Sequence, residues 1–127
     1  MKKQRIRITF SKTEAMRFTG HLDNKDAVCL VAEAADSELL GFVQAVVKDS
    51  PPIFVTQRHG EVWDLVVRPD HRKKGIGAKL MAAAIAGMKD QGAEDIKLHV
   101  AIANEAATKL YEQMGFRPVM YRMHKKL

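Results

Sequence analysis

Residues 65–81 decide the fold, and they read LVVRPDHRKKGIGAKLM. The apolar triplet at the start of this stretch is typical of a strand end, and Pro69 stops the strand because it has no backbone N–H to donate. The period then changes, because apolar residues recur at helical spacing from Ile76 to Met88. We therefore expect a strand over 61–67 and a helix over about 75–90, with the basic, glycine-containing segment 72–77 between them.

This strand-to-helix loop has the composition of an anion site. The first N–H groups of a helix have no partner within the helix, and the helix dipole favours negative charge at that end. Gly75 and Gly77 let an anion come close to the backbone, while Arg72, Lys73 and Lys74 add three cationic side chains. This number of charges predicts a pyrophosphate rather than a single carboxylate.

Two other phosphate-binding patterns are absent from the chain. The P-loop pattern GxxxxGK[ST] does not occur, and Leu80 stands where the dinucleotide-binding pattern needs its third glycine. Taken alone, a glycine pair that opens a helix is equally compatible with a close packing contact.

The rest of the chain alternates between strand and helix patterns. Strands are expected over 4–10, 27–34 and 39–47, the last two as an antiparallel hairpin. A capping box predicts a short helix over 12–19 that ends at Gly20. Further elements are a strand over 95–101, a helix from Asn104 to Gly115 and a terminal strand over 116–123. The order β-α-β-β-β-α-β-α-β predicts an α/β or α+β mixed sheet.

Composition places the chain among ordinary globular proteins. With 127 residues, 46% of them hydrophobic and 28% charged, we expect one domain over 1–127 and no disorder. The lone Cys29 excludes an intrachain disulfide, and neither a signal peptide nor a membrane span is visible, so a cytoplasmic protein is expected. No metal-binding histidine spacing occurs, and 6% aromatic residues without an RNA-binding or helix-turn-helix pattern argue against nucleic acid despite the net charge of +6.

The segment 65–81 resembles the signature of the GNAT superfamily, the acetyl-CoA-dependent N-acetyltransferases. A second block is similar to the family pattern N-x-x-A-x-x-L-Y-x-x-x-G-F, and it consists of Asn104, Glu105, Ala106, Ala107, Leu110, Tyr111, Glu112, Gly115 and Phe116. The resemblance covers about 28–127. It implies a mostly antiparallel twisted sheet that is splayed between strands 4 and 5 and flanked by helices. The N-terminal helical region would be shortened, because only 11–27 is available for the two helices that family members have there.

The resemblance also implies a site for acetyl-CoA as co-substrate. Strand residues would pair with the pantetheine arm, loop and helix residues would surround the pyrophosphate, and the following helix would complete the site. The implied strand residues are Leu65, Val66 and Val67. The implied loop and helix residues are Arg72, Lys73, Lys74, Gly75, Ile76, Gly77 and Ala78. The residues implied at the following helix are Asn104 and Tyr111.

For catalysis the resemblance implies Tyr111 as the general acid and Glu61 as a general base, with a backbone N–H near Val67 stabilising the oxyanion. Asp64 and, less favoured, His59 are alternative bases, and strand alternation places Glu61 on the same face as Trp63 and Leu65. Some relatives carry a glutamate at the position of Trp63, which leaves the base open. The alternatives without a catalytic role are that Tyr111 only packs in the core and that Glu61 is a solvated residue at the start of the strand.

The implied function is transfer of an acetyl group to a primary amine of a small molecule or peptide, by direct attack in a ternary complex. Cys29 is therefore expected to be a small core residue and not a nucleophile. A homodimer is common in the family, and neither a nucleic-acid nor a membrane partner is expected. The alternative is a domain that binds CoA without transfer and serves as a sensor or interaction module.

Overall fold

The computed structural model describes residues 6–10, 27–53, 55 and 57–127. In this part of the chain, five strands form one sheet in the order of the sequence. They are β1 (Ile6–Phe10), β2 (Ala27–Ala34), β3 (Leu39–Asp49), β4 (Arg58–Val67) and β5 (Asp95–Leu98).

The sheet is mixed, as the order of elements predicts, and mostly antiparallel, as the resemblance implies. Strands β1 to β4 pair antiparallel with their neighbours, and β5 pairs parallel with β4. A parallel neighbour needs a crossover connection, which the helix α1 (Ile76–Asp90) supplies. A second helix, α2 (Glu105–Gln113), follows β5 and is capped by the side chain of Asn104, which accepts a hydrogen bond from the Ala107 N–H.

The core lies between the sheet and α1. The core contains Leu40, Val43, Ala45 and Val47 of β3, and α1 buries one stripe of its surface in the same core. A Cβ at Gly60 would meet the Sδ of Met88, so the glycine leaves room for the Met88 side chain against β4. The buried stripe of α1 consists of Ile76, Leu80, Met81, Ala84 and Met88.

A β-bulge at Trp63 changes which side chains share a face of β4. Asp64 pairs with Gln44, but Val62 pairs with the next residue, Ala45, so Trp63 is an extra residue in β4. Glu61 therefore lies opposite Val46, whereas Leu65 lies opposite Val43. The expectation that Glu61 and Leu65 share a face is wrong, because strict alternation does not hold across the bulge.

The C-terminal elements also differ from expectation. Strand β5 ends at Leu98 rather than near residue 101, and the predicted terminal strand over 116–123 does not form. Val119, Tyr121 and Met123 are each at least four-fifths exposed, at 80%, 86% and 92%. Apolar alternation alone does not make a strand, which also needs a neighbour to pair with. The helix predicted over 12–19 lies outside the described residues.

Within the described ranges, no helix is both long and apolar enough to cross a bilayer.

Candidate functional site

The candidate site is a groove where β4 and β5 part. Pairing between these strands stops at Val62 and Leu98, although β4 continues to Val67. The predicted splay between strands 4 and 5 is therefore present. The groove has a volume of about 220 Å³ and is lined by Val62, Trp63, Asp64, Leu65, Val66, Leu98, His99, Val100, Ala101, Asn104, Ala107 and Tyr111.

Backbone groups at the end of β4 point into this groove. The Arg68 N–H donates to the Leu40 carbonyl at 2.9 Å, which directs the peptide groups of Arg68 towards β3. Because ladder bonds alternate along an antiparallel strand, the N–H and C=O groups of Leu65 and Val67 point the other way, beyond the reach of β5. An extended ligand could pair with them as an additional strand would.

The loop after β4 turns sharply and leads into α1. Lys73 and Gly75 both have left-handed backbone conformations, with φ of 64° and 79°. The three residues before Gly75 have exposed side chains, and no side chain caps the first turn of α1 within the described part of the chain. Arg72 Nε donates to the Val67 carbonyl oxygen at 3.2 Å, which ties the loop to the end of β4.

The first turn of α1 can offer a ligand mainly its backbone. Ile76 is buried in the core, so only its main chain can contribute to the predicted cofactor site. A Cβ at Gly77 would lie 3.5 Å from Leu110 Cδ2 and 3.8 Å from Val67 Cγ2, so a larger side chain would have to displace these neighbours. Gly75 has open space around it. The start of α1 is thus a basic cradle of backbone amides, which suits a phosphate group.

Tyr111 and Asn104 come to the same groove from α2. The ring of Tyr111 packs edge-on against Phe116, with the ring centroids 5.9 Å apart. Burial raises the pKa of the Tyr111 hydroxyl, so it keeps its proton at neutral pH. Asn104 uses its side-chain oxygen to cap α2, which leaves its amide to donate to a ligand.

Glu61 lies next to the groove rather than in its lining. Its carboxylate accepts hydrogen bonds from His59 Nε2, Lys48 Nζ and Trp63 Nε1, each at 3.2 Å. Burial alone would raise the pKa of Glu61, but the hydrogen bonds from Trp63, His59 and Lys48 together with the Lys48 charge outweigh burial and lower that pKa. Glu61 is therefore an anion at neutral pH.

The other base candidates have different surroundings. Asp64 is exposed and lines the groove. His59 is buried, and its Nδ1 lies 2.7 Å from Ser50 Oγ. Trp63 is 42% exposed, lines the groove and stacks beneath Lys48 Nζ, which is 5.4 Å from the ring centroid.

Sequence reasoning missed Ser50 and Lys48. They reach the cluster only through the β3–β4 register, in which Lys48 lies opposite His59. Cys29, expected to be a core residue, is fully buried. In the described ranges, no group of three His, Cys, Asp or Glu side chains is placed to hold a metal ion.

Comparison with known proteins now assigns the family. The model of the acetyltransferase (GNAT) family matches residues 4–116, which is most of the chain. The chain belongs to the GNAT family. This agrees with the resemblance of residues 65–81 and of the second block at Asn104–Phe116.

Two curated relatives show how this GNAT chain compares in length. It is 30% identical over 115 residues to an N-alpha-acetyltransferase of Sulfurisphaera tokodaii, which covers 84% of this chain and 66% of the relative. It is 39% identical over 90 residues to a mycothiol acetyltransferase of Propionibacterium freudenreichii, which covers 71% of this chain and 28% of the relative. The chain thus spans from about a quarter to just under two-thirds of the lengths of these relatives.

A solved structure shows the GNAT fold along nearly the whole chain. An aminoglycoside N-acetyltransferase in complex with CoA superposes with a TM-score of 0.78 at 14% identity, covering 99% of this chain and 97% of that one. At this identity the likeness concerns the fold.

Proposed function

We propose that this GNAT protein is an N-acetyltransferase that transfers an acetyl group from acetyl-CoA to a primary amine. The observation that carries the proposal is that three features lie together where β4 ends. They are the part of β4 that β5 does not pair with, the basic start of α1, whose loop is tied to Val67 through Arg72, and a protonated tyrosine that lines the groove. The names of the relatives, N-alpha-acetyltransferase and mycothiol acetyltransferase, support the same chemistry.

The residues that would hold acetyl-CoA follow from this arrangement. Leu65, Val66 and Val67 would lie along the pantetheine arm, with main-chain contacts from the first and last of them. The loop 72–78 would hold the pyrophosphate through the N–H groups of Ile76, Gly77 and Ala78 and through its cationic side chains. The CoA complex of the structurally similar aminoglycoside N-acetyltransferase supports this assignment of the co-substrate.

Acetyl-CoA supplies an activated acyl group, because its thioester carbonyl accepts a nucleophile and its thiolate can leave. The Val67 N–H lies on the side of β4 away from β3 and would donate to the carbonyl oxygen as it becomes an oxyanion. The amine nitrogen forms the new bond to the carbonyl carbon, and the carbon–sulfur bond breaks. Attack is direct in a ternary complex, and buried Cys29 takes no part.

Three proton transfers accompany this reaction. The acceptor arrives as an ammonium and must lose a proton before attack, which we assign to Glu61. The departing thiolate must gain a proton, which we assign to Tyr111, because its raised pKa keeps the phenol protonated at neutral pH. The nitrogen loses its second proton as the tetrahedral intermediate collapses, and this proton returns Tyr111 to its phenol form. Asp64 is the alternative base, because its carboxylate is exposed in the groove.

The acceptor is proposed to be a small molecule or peptide that carries a primary amine. The two relatives named above are called an N-alpha-acetyltransferase and a mycothiol acetyltransferase. Because these names differ in the acceptor, they do not narrow the acceptor of this chain further. A cytoplasmic location and a homodimer remain predictions.

A thiol-release assay tests the proposal. The protein is mixed with acetyl-CoA and panels of peptide N-termini, lysine side chains, polyamines, amino sugars and amino acids, and free CoA is measured. We expect release with one class of amine. Binding of acetyl-CoA by calorimetry without release across the panel would instead favour the sensor module, and no CoA binding would contradict both.

A further inference from the structure

A hydrogen-bonded series of three side chains ends at the Glu61 carboxylate. Ser50 Oγ lies 2.7 Å from His59 Nδ1, and His59 Nε2 lies 3.2 Å from Glu61 Oε1. His59 is only 8% exposed, so both ring nitrogens need partners, and both have them. We call Ser50, His59 and Glu61 the serine–histidine–glutamate series.

The backbone fixes each member of this series. His59 and Glu61 are two residues apart on β4 and precede the bulge at Trp63, so their side chains share a face. Ser50 follows β3 directly, and its N–H donates to the Gln57 carbonyl at 2.7 Å, which closes the end of the β3–β4 hairpin. The series therefore depends on the register of the two strands.

The chemistry of the end group sets the direction of the hydrogen bonds. An ionised carboxylate can only accept, so His59 Nε2 must carry a proton. A neutral imidazole then has its lone pair on Nδ1, and the Ser50 hydroxyl donates to it. The Glu61 carboxylate thereby selects the tautomer of His59 that donates to it, and Ser50 completes the hydrogen bonding of that tautomer at Nδ1.

The same contacts determine where the carboxylate is held. Oε1 is bound by His59 from one side, while Oε2 accepts from Lys48 on β3 and from Trp63, which lines the groove. Two cations face Glu61 from the neighbouring strands. Lys48 lies on β3 with its side chain 46% exposed, and Lys97 is the residue paired with Glu61 on β5. The donor from His59 opposes a turn of the carboxylate towards Lys48.

We propose that Ser50 and His59 are positioning residues that hold the Glu61 carboxylate at the edge of the groove, with Ser50 donating to Nδ1 of the Nε2-protonated His59. The proposal rests on the function proposed above. It assigns His59 a donor role and removes it from the candidates for the base.

The decisive comparison uses two substitutions at one position. His59→Gln keeps an N–H donor but cannot titrate, whereas His59→Leu removes the donor. In the thiol-release assay we expect His59→Leu to lower kcat about tenfold, since a hydrogen bond to a charged group is lost, and to move the acidic limb of the pH profile upwards. His59→Gln should recover most of the rate, and KM for acetyl-CoA should stay unchanged in both.

Two further variants serve as tests, one at Ser50 and one at an exposed histidine. Ser50→Ala should reproduce part of the loss of kcat seen with His59→Leu. Because it is a small change, it tests the same role even if His59→Leu misfolds. His124→Gln, at an exposed position after α2, should leave rate and profile unchanged. If His59→Gln is as slow as His59→Leu, the ring itself moves protons and the positioning role is wrong. If His59→Leu matches the unaltered protein, the ring only packs.

A measurement without turnover separates this proposal from the proposed function. Nitrogen-15 NMR of the His59 ring should show a proton on Nε2 in the unaltered protein, and Ser50→Ala should shift the Nδ1 resonance because the hydrogen bond to Nδ1 is lost. A proton on Nδ1 in the unaltered protein would overturn the proposal even if acetyl transfer is found. Failure of acetyl transfer with the expected tautomer would instead count against the proposed function alone.

Discussion

Arg72 and Val67 are joined by a hydrogen bond from the guanidinium Nε to the main-chain carbonyl oxygen at 3.2 Å. The bond connects the two halves of the proposed acetyl-CoA site, because Val67 ends the open part of β4 and Arg72 begins the basic loop. Because Nε donates to Val67, the two terminal nitrogens of the guanidinium can donate to a phosphate in a bidentate manner.

Arg72→Ala should weaken CoA binding by about tenfold, because charge-assisted hydrogen bonds to the diphosphate are lost. The measurement is calorimetric titration at two salt concentrations, with a smaller salt dependence expected for the variant. Pantetheine, which has no diphosphate, should bind both proteins equally. Arg117→Ala, at an exposed position outside the loop, is the control. If the variant also binds pantetheine about tenfold more weakly, Arg72 acts only through its hydrogen bond to Val67 and not on the diphosphate.

Gly75→Ala tests the left-handed turn at the start of α1. Gly75 has φ of 79°, and an alanine in this conformation costs about 1 kcal/mol of folding free energy. Gly115 offers a matched control, since its φ is 94° and neither glycine has a neighbour within 4 Å of an added Cβ. Chemical denaturation should show similar destabilisation in both alanine variants, while only Gly75→Ala weakens CoA binding. If Gly75→Ala and Gly115→Ala bind CoA equally well, the diphosphate does not bind at the Gly75 turn.

The strand-loop-helix unit at the centre of the site could be predicted because each part has a local cause. Pro69 stops the strand, the apolar period defines α1, and the Gly75 turn is a local backbone property. Helix α1 begins at Ile76 and ends at Asp90, close to the expected range of about 75–90. These signals need no knowledge of distant residues.

The errors and omissions concern features that depend on a neighbour. The bulge at Trp63 is a relation between β3 and β4, so alternation along β4 alone misplaced Leu65 relative to Glu61. Ser50 reaches His59 only because the hairpin brings its end back to β4. The terminal residues 116–123 have a strand pattern, yet pattern alone does not provide a partner strand.

Tyr111→Phe should lower kcat about a hundredfold, while KM for acetyl-CoA changes little, because the phenol acts on the leaving thiolate and contributes little to ground-state binding. Because the pKa of Tyr111 is raised, we expect kcat of the unaltered protein to fall only at pH values above the ordinary pKa of a tyrosine. This fall of kcat at high pH should be absent from Tyr111→Phe. Tyr121→Phe is the matched control, since Tyr121 is 86% exposed. Equal effects on kcat and KM would indicate that the ring only packs.

The lowered pKa of Glu61 also predicts a pH-dependent contribution to stability. A carboxyl whose pKa is depressed in the folded state stabilises the fold above its unfolded pKa, and this contribution is lost as pH falls through the folded value. Because the Glu61 side chain is one-third exposed, at 33%, we expect less than about 1 kcal/mol. Thermal unfolding of Glu61→Gln should therefore show a lower Tm than the unaltered protein at neutral pH and convergence in acid. If the difference in Tm between the two proteins is the same at all pH values, the ion pair of Glu61 is not the cause of that difference.

Glu61→Gln should displace the pH optimum of acetyl transfer upwards. With the carboxylate present, the ammonium can lose its proton in the complex, and the rate depends little on how much free amine exists in solution. Without it, only the deprotonated fraction of the amine reacts, and that fraction grows until pH reaches the pKa of the acceptor. Asp64→Asn is the matched comparison, because Asp64 lines the groove on the other side of the bulge. If Asp64→Asn displaces the optimum and Glu61→Gln does not, the base is Asp64, and the three donors around Glu61 serve the fold.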